Sequence, residues 1–421
     1  MIKEIRLEDW KSFESSTLYI DPLTVLIGTN ASGKSNALDA LLFLMRTASG
    51  AALSAALQGD AYIDGVRGGL EWVCRKPKSA FAIEALISGA DERTDYHYRL
   101  EAEVYDNHCQ LRSERLKRIR YRLRTTKNPY EISLFWSDPC GADEPSITAR
   151  LYNEKRGTPR PFTRMMSVLS QLQPQAEAGA GVRKEISEGV VAVTRTLKNI
   201  FILDPIPSHM RGFAQLSEQL EPDASNIAGV IAALPDDKRQ EMEQTLTEYV
   251  RHLPERDICK VFAEPVGRFK TDAMLYCEEQ WTEGEDSTTV DARGMSDGTL
   301  RFLAIVTALL TRPKGSLLVV EEIDNGLHPS RADLLLKVLR DVGRARQIDV
   351  LVTTHNPALL DELGPEMMSF ITVSHREADT GYSRLTLLED IRQLPKLLAW
   401  GTVGKLSSQG HIEKALKMQG A

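Results

Sequence analysis

"LTVLIGTNASGKSNALDALLFL", Leu23 to Leu44, changes its periodicity once, and that change decides the fold. An apolar, β-branched run ends at Gly28, and a helix with apolar Leu38, Leu41 and Leu42 begins after Lys34. Between them stands Gly28-Thr29-Asn30-Ala31-Ser32-Gly33-Lys34-Ser35, a GxxxxGKS loop in the strand–loop–helix setting that such a loop requires. The glycines let successive backbone N–H groups curl around phosphate oxygens. Lys34 is placed to reach the β- and γ-phosphates, and the Ser35 hydroxyl to ligate Mg²⁺. Asn30, Ala31, Ser32, Gly33 and Asn36 complete the expected nucleotide-binding set with Gly28, Lys34 and Ser35. The reading is a site for a nucleoside triphosphate.

Three later stretches bear on the same site. "GMSDGTLRFLAI" (Gly294–Ile305) starts with small polar residues and becomes an apolar helix. Ser296 or Asp297 caps that helix, or the open start at Ser296, Asp297 and Gly298 receives an anion, because its backbone N–H groups lack partners. "GSLLVVEEIDNGLHPS" is a short buried strand running into Glu321 and Glu322. Beside a phosphate loop, Glu321 is the expected Mg²⁺ partner and Glu322 the group that polarises the attacking water; otherwise this is a solvated acidic turn. Asp324, Asn325 and His328 read equally as turn residues before a helix opening at Pro329. "IDVLVTTHNPALL" ends a third apolar run at His355, on a strand that should neighbour the acidic one, within reach of a γ-phosphate.

The bulk numbers set limits around this site. The 421 residues carry 42% hydrophobic and 26% charged side chains, ordinary for a globular protein. A net charge of −7 argues against coating nucleic acid by bulk charge and leaves a local basic groove open. The start "MIKEIRLEDW" alternates like a strand and has no signal-peptide core, and the apolar runs are too short for a bilayer. Five cysteines without a CxxC pair suggest neither a disulfide framework nor a zinc site. A reduced, cytoplasmic chain without membrane contact is expected.

From Ser79 to Phe135 the pattern alternates ("AFAIEALIS", "YHYRLEAEVY", "RIRYRLR", "EISLFW"), which predicts an antiparallel sheet. From about Phe162 to Leu253 it is helix-like. The expected division is 1–160, half of the head with an antiparallel β lobe; 161–260, a helical insertion; and 261–421, the other half with a helical tail. In "RLKRIRYRLR" a strand puts Arg118, Arg120, Arg122 and Arg124 on one face and Ile119, Tyr121 and Leu123 toward the core. That row suits a DNA backbone, or else a solvated face paired with nearby acids.

The phosphate loop, SDG helix, acidic strand and strand-end histidine come in the order of an ABC-type ATPase head. "LEDWKSFESSTLYIDPLTVLIGTNASGKSN" resembles the start of the OLD/RecF/SMC branch, where Lys11 and Ser12 would lie near the nucleotide. "VRGGLEWV", "SDGTLRFLAI", "EEIDNGLHP" and "TTHNP" are similar to the OLD-like, AAA-21 ATPases. The resemblance implies an α/β fold: a mixed or parallel core sheet, an antiparallel β lobe and an inserted helical subdomain. It implies ATP and Mg²⁺ as cofactors. It also implies a homodimer or higher oligomer in which Ser296, Asp297 and Gly298 of one copy meet the ATP of another. Long heptad arrays are missing, so SMC-type coiled-coil arms are not expected. A TOPRIM-type acidic group after His355 is missing too, and a Q-loop glutamine is not evident, with Arg67-Gly68-Gly69 in its place or simply a turn. The expectation is an ATPase in a two-component anti-phage system, controlling a separate effector, a TOPRIM-like nuclease or a toxin. The alternatives are a RecF-like DNA-repair ATPase and a non-hydrolysing scaffold. The helical insertion and the tail with Trp400 are the expected docking surfaces.

Overall fold

Strands Leu23–Ile27, Leu317–Val320 and Asp349–Thr353 are buried at every position. Continuous burial of this kind requires cover on both faces, which parallel strands with crossover helices provide. In the computed structural model these strands form the middle of a six-stranded sheet. Its order is Ile200–Leu203, Leu317–Val320, Asp349–Thr353, Leu23–Ile27, Ile371–Arg376, Ser383–Leu387. The first five are parallel and the last is antiparallel. One register row runs Leu203, Val320, Val352, Val25, Ile371 across the sheet. Residues 1–60, 64–121, 129–253, 258–280, 286–325 and 332–420 are described; Arg122, Leu123, Arg124, His328 and Pro329 lie outside them.

Alternate residues of each core strand enter different cores. Val25, Val320 and Val352 pack with helices Asp297–Thr311 and Ala332–Arg346. Leu26, Val319 and Leu351 pack with helix Lys34–Ala48 and an antiparallel sheet. That sheet has eight strands, from Ser15–Tyr19 and Ile2–Glu8 at one side, through Ala80–Ser88, Thr94–Tyr105, His108–Arg120, Tyr130–Ser137 and Ser146–Leu151, to Thr158–Thr163. The last strand holds Pro159 and Pro161, which an edge tolerates because no further strand needs their missing N–H. Helices Val168–Glu177 and Lys184–Lys198 cover this lobe. Buried Glu114 fastens the first of them: its carboxylate accepts the N–H groups of Val168 (2.5 Å) and Leu169 (2.9 Å) and the Tyr98 hydroxyl (2.9 Å).

A third sheet was not anticipated. Ile258–Val266 and Asp272–Glu279 pair antiparallel, with Ala214–Gln215 and Thr288–Asp291 added to the second of them. Helices Ile227–Ala232 and Asp236–Arg251 pack on it. Between the helices, the short buried run Ile200–Leu203, which reads as a strand in the sequence, joins the core sheet. Among the described residues, no helix is long and apolar enough to cross a membrane.

The arginine row is corrected. Arg118 shares the inner face with Glu114 and Leu116, lies opposite Tyr96, and sits 3.9 Å from Glu188 of the covering helix with its side chain 14% exposed. Ile119 is on the other face opposite Asp95, and the Tyr121 hydroxyl donates to Asp95 at 2.9 Å. A bulge causes the reversal. Glu101 pairs with Ser113 but Ala102 with Leu111, so the extra residue Arg112 shifts the alternation by one. Arg118 is therefore no part of an outward basic stripe with Arg120.

Candidate functional site

Strand Leu23–Ile27 delivers Gly28 to the carboxyl edge of the core sheet, and the loop to Ser35 turns there into helix Lys34–Ala48. Gly28 has φ +146° and Gly33 +119°. A Cβ on Gly28 would lie 2.2 Å from the Ser374 carbonyl oxygen, and one on Gly33 would lie 2.6 Å from Ser383 Oγ. Both positions need glycine for backbone angle and for space. Thr29, Asn30 and Ala31 are exposed at the rim, while Ser32 and Gly33 are buried beneath. Helix Lys34–Ala48 has no side-chain cap, so its first N–H groups are available to an anion. Lys34 Nζ donates to the carbonyls of Gly28 (2.6 Å) and Thr29 (3.2 Å). Burial lowers its pKa, against the opposing pull of Glu322, Glu321 and Asp324.

The acidic strand ends beside this loop. Ser35 Oγ donates to Glu321 Oε1 at 3.0 Å, joining residues 286 positions apart. Arg67 Nη2 meets both oxygens of Glu321, at 3.0 and 2.8 Å. Burial works to lower the Arg67 pKa, but the hydrogen bonds and charge of Glu321 leave it raised. Lys11 in turn holds the Arg67 carbonyl at 2.6 Å and pairs with Asp39. Burial lowers the Lys11 pKa, with Asp39 opposing. Ser12 Oγ accepts from Asn36 Nδ2 at 2.7 Å, and Trp10 Nε1 donates to the Asn36 carbonyl at 2.7 Å. Lys11, Ser12, Asn36 and Arg67 thus line one cavity of about 390 Å³ with Trp72, Arg75 and Tyr382. Arg75 lies 4.4 Å from the Tyr382 ring centre.

Glu322 is exposed, with φ +48°, and its N–H donates to Thr353 Oγ1 at 2.8 Å. Ile323 N–H donates to the Thr353 carbonyl at 3.0 Å. The acidic turn is therefore pinned to the end of the neighbouring strand, and His355 is exposed two residues further along. Asn356 caps helix Pro357–Glu362 through Ala358 N–H at 3.0 Å. Ser296 is a cap as well: its Oγ accepts from Thr299 N–H at 3.1 Å. Asp297 and Gly298 follow in the first turn of helix Asp297–Thr311. Asp297 pairs with Arg211 at 2.6 Å.

Two residues at the site were not singled out in the sequence. Arg376 Nε donates to the Ala31 carbonyl at 2.9 Å, bracing the loop from the next strand. Arg211 holds the turn before the SDG helix. Each binds main-chain carbonyls, which any sequence can offer. A larger cavity of about 600 Å³ lies beyond Arg376, along Ser15–Tyr19 and the edge strand, and neither Glu321 nor Glu322 lines it.

A mixed α/β core sheet with a phosphate loop, an acidic turn, a strand-end histidine and an SDG helix has the fold of a P-loop ATPase head. The comparisons agree at that level. Residues 201–361 match the family described as "AAA domain, putative AbiEii toxin, Type IV TA system", and residues 1–152 match "AAA ATPase domain". No curated protein matches in sequence. Among solved structures, an SmcHead bound to the C-winged helix domain of ScpA is 13% identical, with TM-score 0.50 over 91% of this chain and 96% of that one. An SMC head domain from Thermotoga maritima is 13% identical, with TM-score 0.44 over 92% and 98%. An Smc head domain with an extended coiled coil, bound to the C-terminal domain of ScpA derived from Pyrococcus furiosus, is 12% identical, with TM-score 0.42 over 94% and 99%. The chain is thus similar to AAA ATPase domains over two segments, and its fold is like that of an SMC head.

Proposed function

We propose that this chain binds and hydrolyses ATP, and that ATP joins two copies into a switch controlling a separate protein. The observation that carries the reading is the Ser35–Glu321 hydrogen bond, which brings the phosphate loop and the acidic turn into one site. Loop and helix N–H groups receive the phosphates, and Lys34 adds a charge-assisted contact. The hydroxyl and carboxylate oxygens of Ser35 and Glu321 are hard donors and fit Mg²⁺, which they would hold. A bound Mg²⁺ neutralises phosphate charge. Glu322, exposed at the turn, takes the proton of the attacking water, and His355 hydrogen-bonds the γ-phosphate. The Ser296–Gly298 turn of a second copy closes the site. A second protein is supported by the "Type IV TA system" in the description of the family matched at 201–361, and by the partner domain bound to the SmcHead of similar fold.

The test compares wild type with Glu322→Gln in ATP turnover and in sedimentation with Mg-ATP. The variant should bind ATP, hydrolyse it slower by on the order of 10²–10⁴-fold, and accumulate dimers. Equal turnover of the two proteins would remove Glu322 from the chemistry, and absence of turnover in both would favour a scaffold.

A further inference from the structure

The SDG turn presents a problem for any phosphate it is to meet. Asp297 stands in its middle with a side chain 65% exposed, and a carboxylate there repels the anion that the helix N-terminus attracts. Arg211 answers this. Its Nη2 donates to Asp297 Oδ1 at 2.6 Å, while Nη1 faces the carbonyls of Ala292 (3.0 Å), Arg293 (2.8 Å) and Met295 (2.8 Å). Because a peptide is planar and trans, turning the Met295 carbonyl toward Arg211 turns the Ser296 N–H away from it. One guanidinium thereby offsets the acid and orients the turn.

Arg211 also stands at the end of a short arm from the nucleotide site of its own chain. Leu203 ends the strand beside the acidic one, and its carbonyl accepts the Glu321 N–H at 3.2 Å. The chain from Leu203 to Arg211 is anchored by fully buried Met210, and His209 Nδ1 lies 2.9 Å from Asp223. Leu203, bonded to the acidic strand, and Arg211, bonded to the SDG turn, are thus eight positions apart on one continuous segment.

We propose that Arg211 is the positioning residue of the SDG turn, neutralising Asp297 and aiming the Ser296 N–H, and that its arm ties this turn to the acidic turn of the same chain. A change at one ATP is thereby felt by the turn offered to the other. This rests on the reading that the turn meets nucleotide held by a second copy.

The experiment uses the full chain with Glu322→Gln as parent. Arg211→Gln should leave ATP affinity of the protomer within about twofold and raise the dissociation constant of the ATP-dependent dimer by roughly tenfold or more, the scale of losing a charge-assisted contact. Adding Asp297→Asn to Arg211→Gln should recover at least about threefold, because the uncompensated acid is gone. Amide hydrogen exchange across 292–298, measured without nucleotide, should rise roughly tenfold in Arg211→Gln. Unchanged dimerisation with unchanged exchange overturns the proposal, and so does a parallel loss of ATP affinity or a failure of Asp297→Asn to restore the dimer. A parent that never dimerises with ATP defeats the two-copy reading instead. The exchange measurement then still decides whether Arg211 sets the turn.

Discussion

Lys34 donates to two carbonyls of its own loop and is held by nothing in the core. Lys34→Ala therefore removes the cation proposed to meet the phosphates, without opening a cavity. Calorimetry should find ATP binding abolished, with the melting temperature unchanged; unchanged affinity would overturn the loop assignment. The residues legible in the sequence are of this kind, because the loop demands glycine at φ +146° and +119° and a lysine at a fixed distance from them. Lys11 and Ser12 were legible only through resemblance, and the structure places them in the cavity beside the loop. Arg67, readable as a mere turn residue, has a definite partner in Glu321. Arg211 and Arg376 were not singled out, since a guanidinium bound mainly to carbonyls imposes no pattern on its partners.

At the scale of elements, the period-2 and period-3.6 signals located the antiparallel lobe and the core strands. They failed where a single residue interrupts them. The Arg112 bulge reversed the faces of the arginine strand, and Ile258–Val266, with its mixed burial and Pro265, gave no clean alternation. Glu114 was unremarked in the sequence, yet it joins a strand to a helix start. Burial raises its pKa from 4.5 to about 7, with the Leu169 and Val168 N–H groups and the Tyr98 hydroxyl opposing. Between those values the folded chain holds a proton that the unfolded chain has released. Stability is thus favoured at low pH and declines as pH rises through this window, by up to about 3 kcal/mol from this group. Asp349, raised to about 7 chiefly by burial, acts with the same sign. Urea unfolding at pH 5 and pH 8 should therefore show a smaller loss in Glu114→Gln than in wild type. An identical pH dependence in both proteins would exclude Glu114 as its source.

Taken whole, the molecule offers its SDG turn at a surface held by Arg211, and its tail carries Trp400 with 69% of its surface exposed. Ser296→Ala should lose only the helix cap, about 1 kcal/mol, and still dimerise with ATP. Ser296→Arg should fill the turn and prevent the dimer in sedimentation; a normal dimer would place the contact elsewhere. Purification from cells that also express the neighbouring gene should bring down a second polypeptide, and a chain that emerges alone and protects cells by itself would end the two-component reading. The order of the core sheet carries one more consequence. Leu23–Ile27 lies between strands that begin at Asp349 and Ile371, whereas most of the eight-stranded sheet pairs consecutive segments. On the ribosome, at about 5–20 residues per second, the lobe can assemble early while the phosphate-loop strand waits roughly 20–70 s for its neighbours to be synthesised. Throughout that interval one of the chain's most apolar segments lacks its neighbours, and exposed apolar chain of this kind is what chaperones bind.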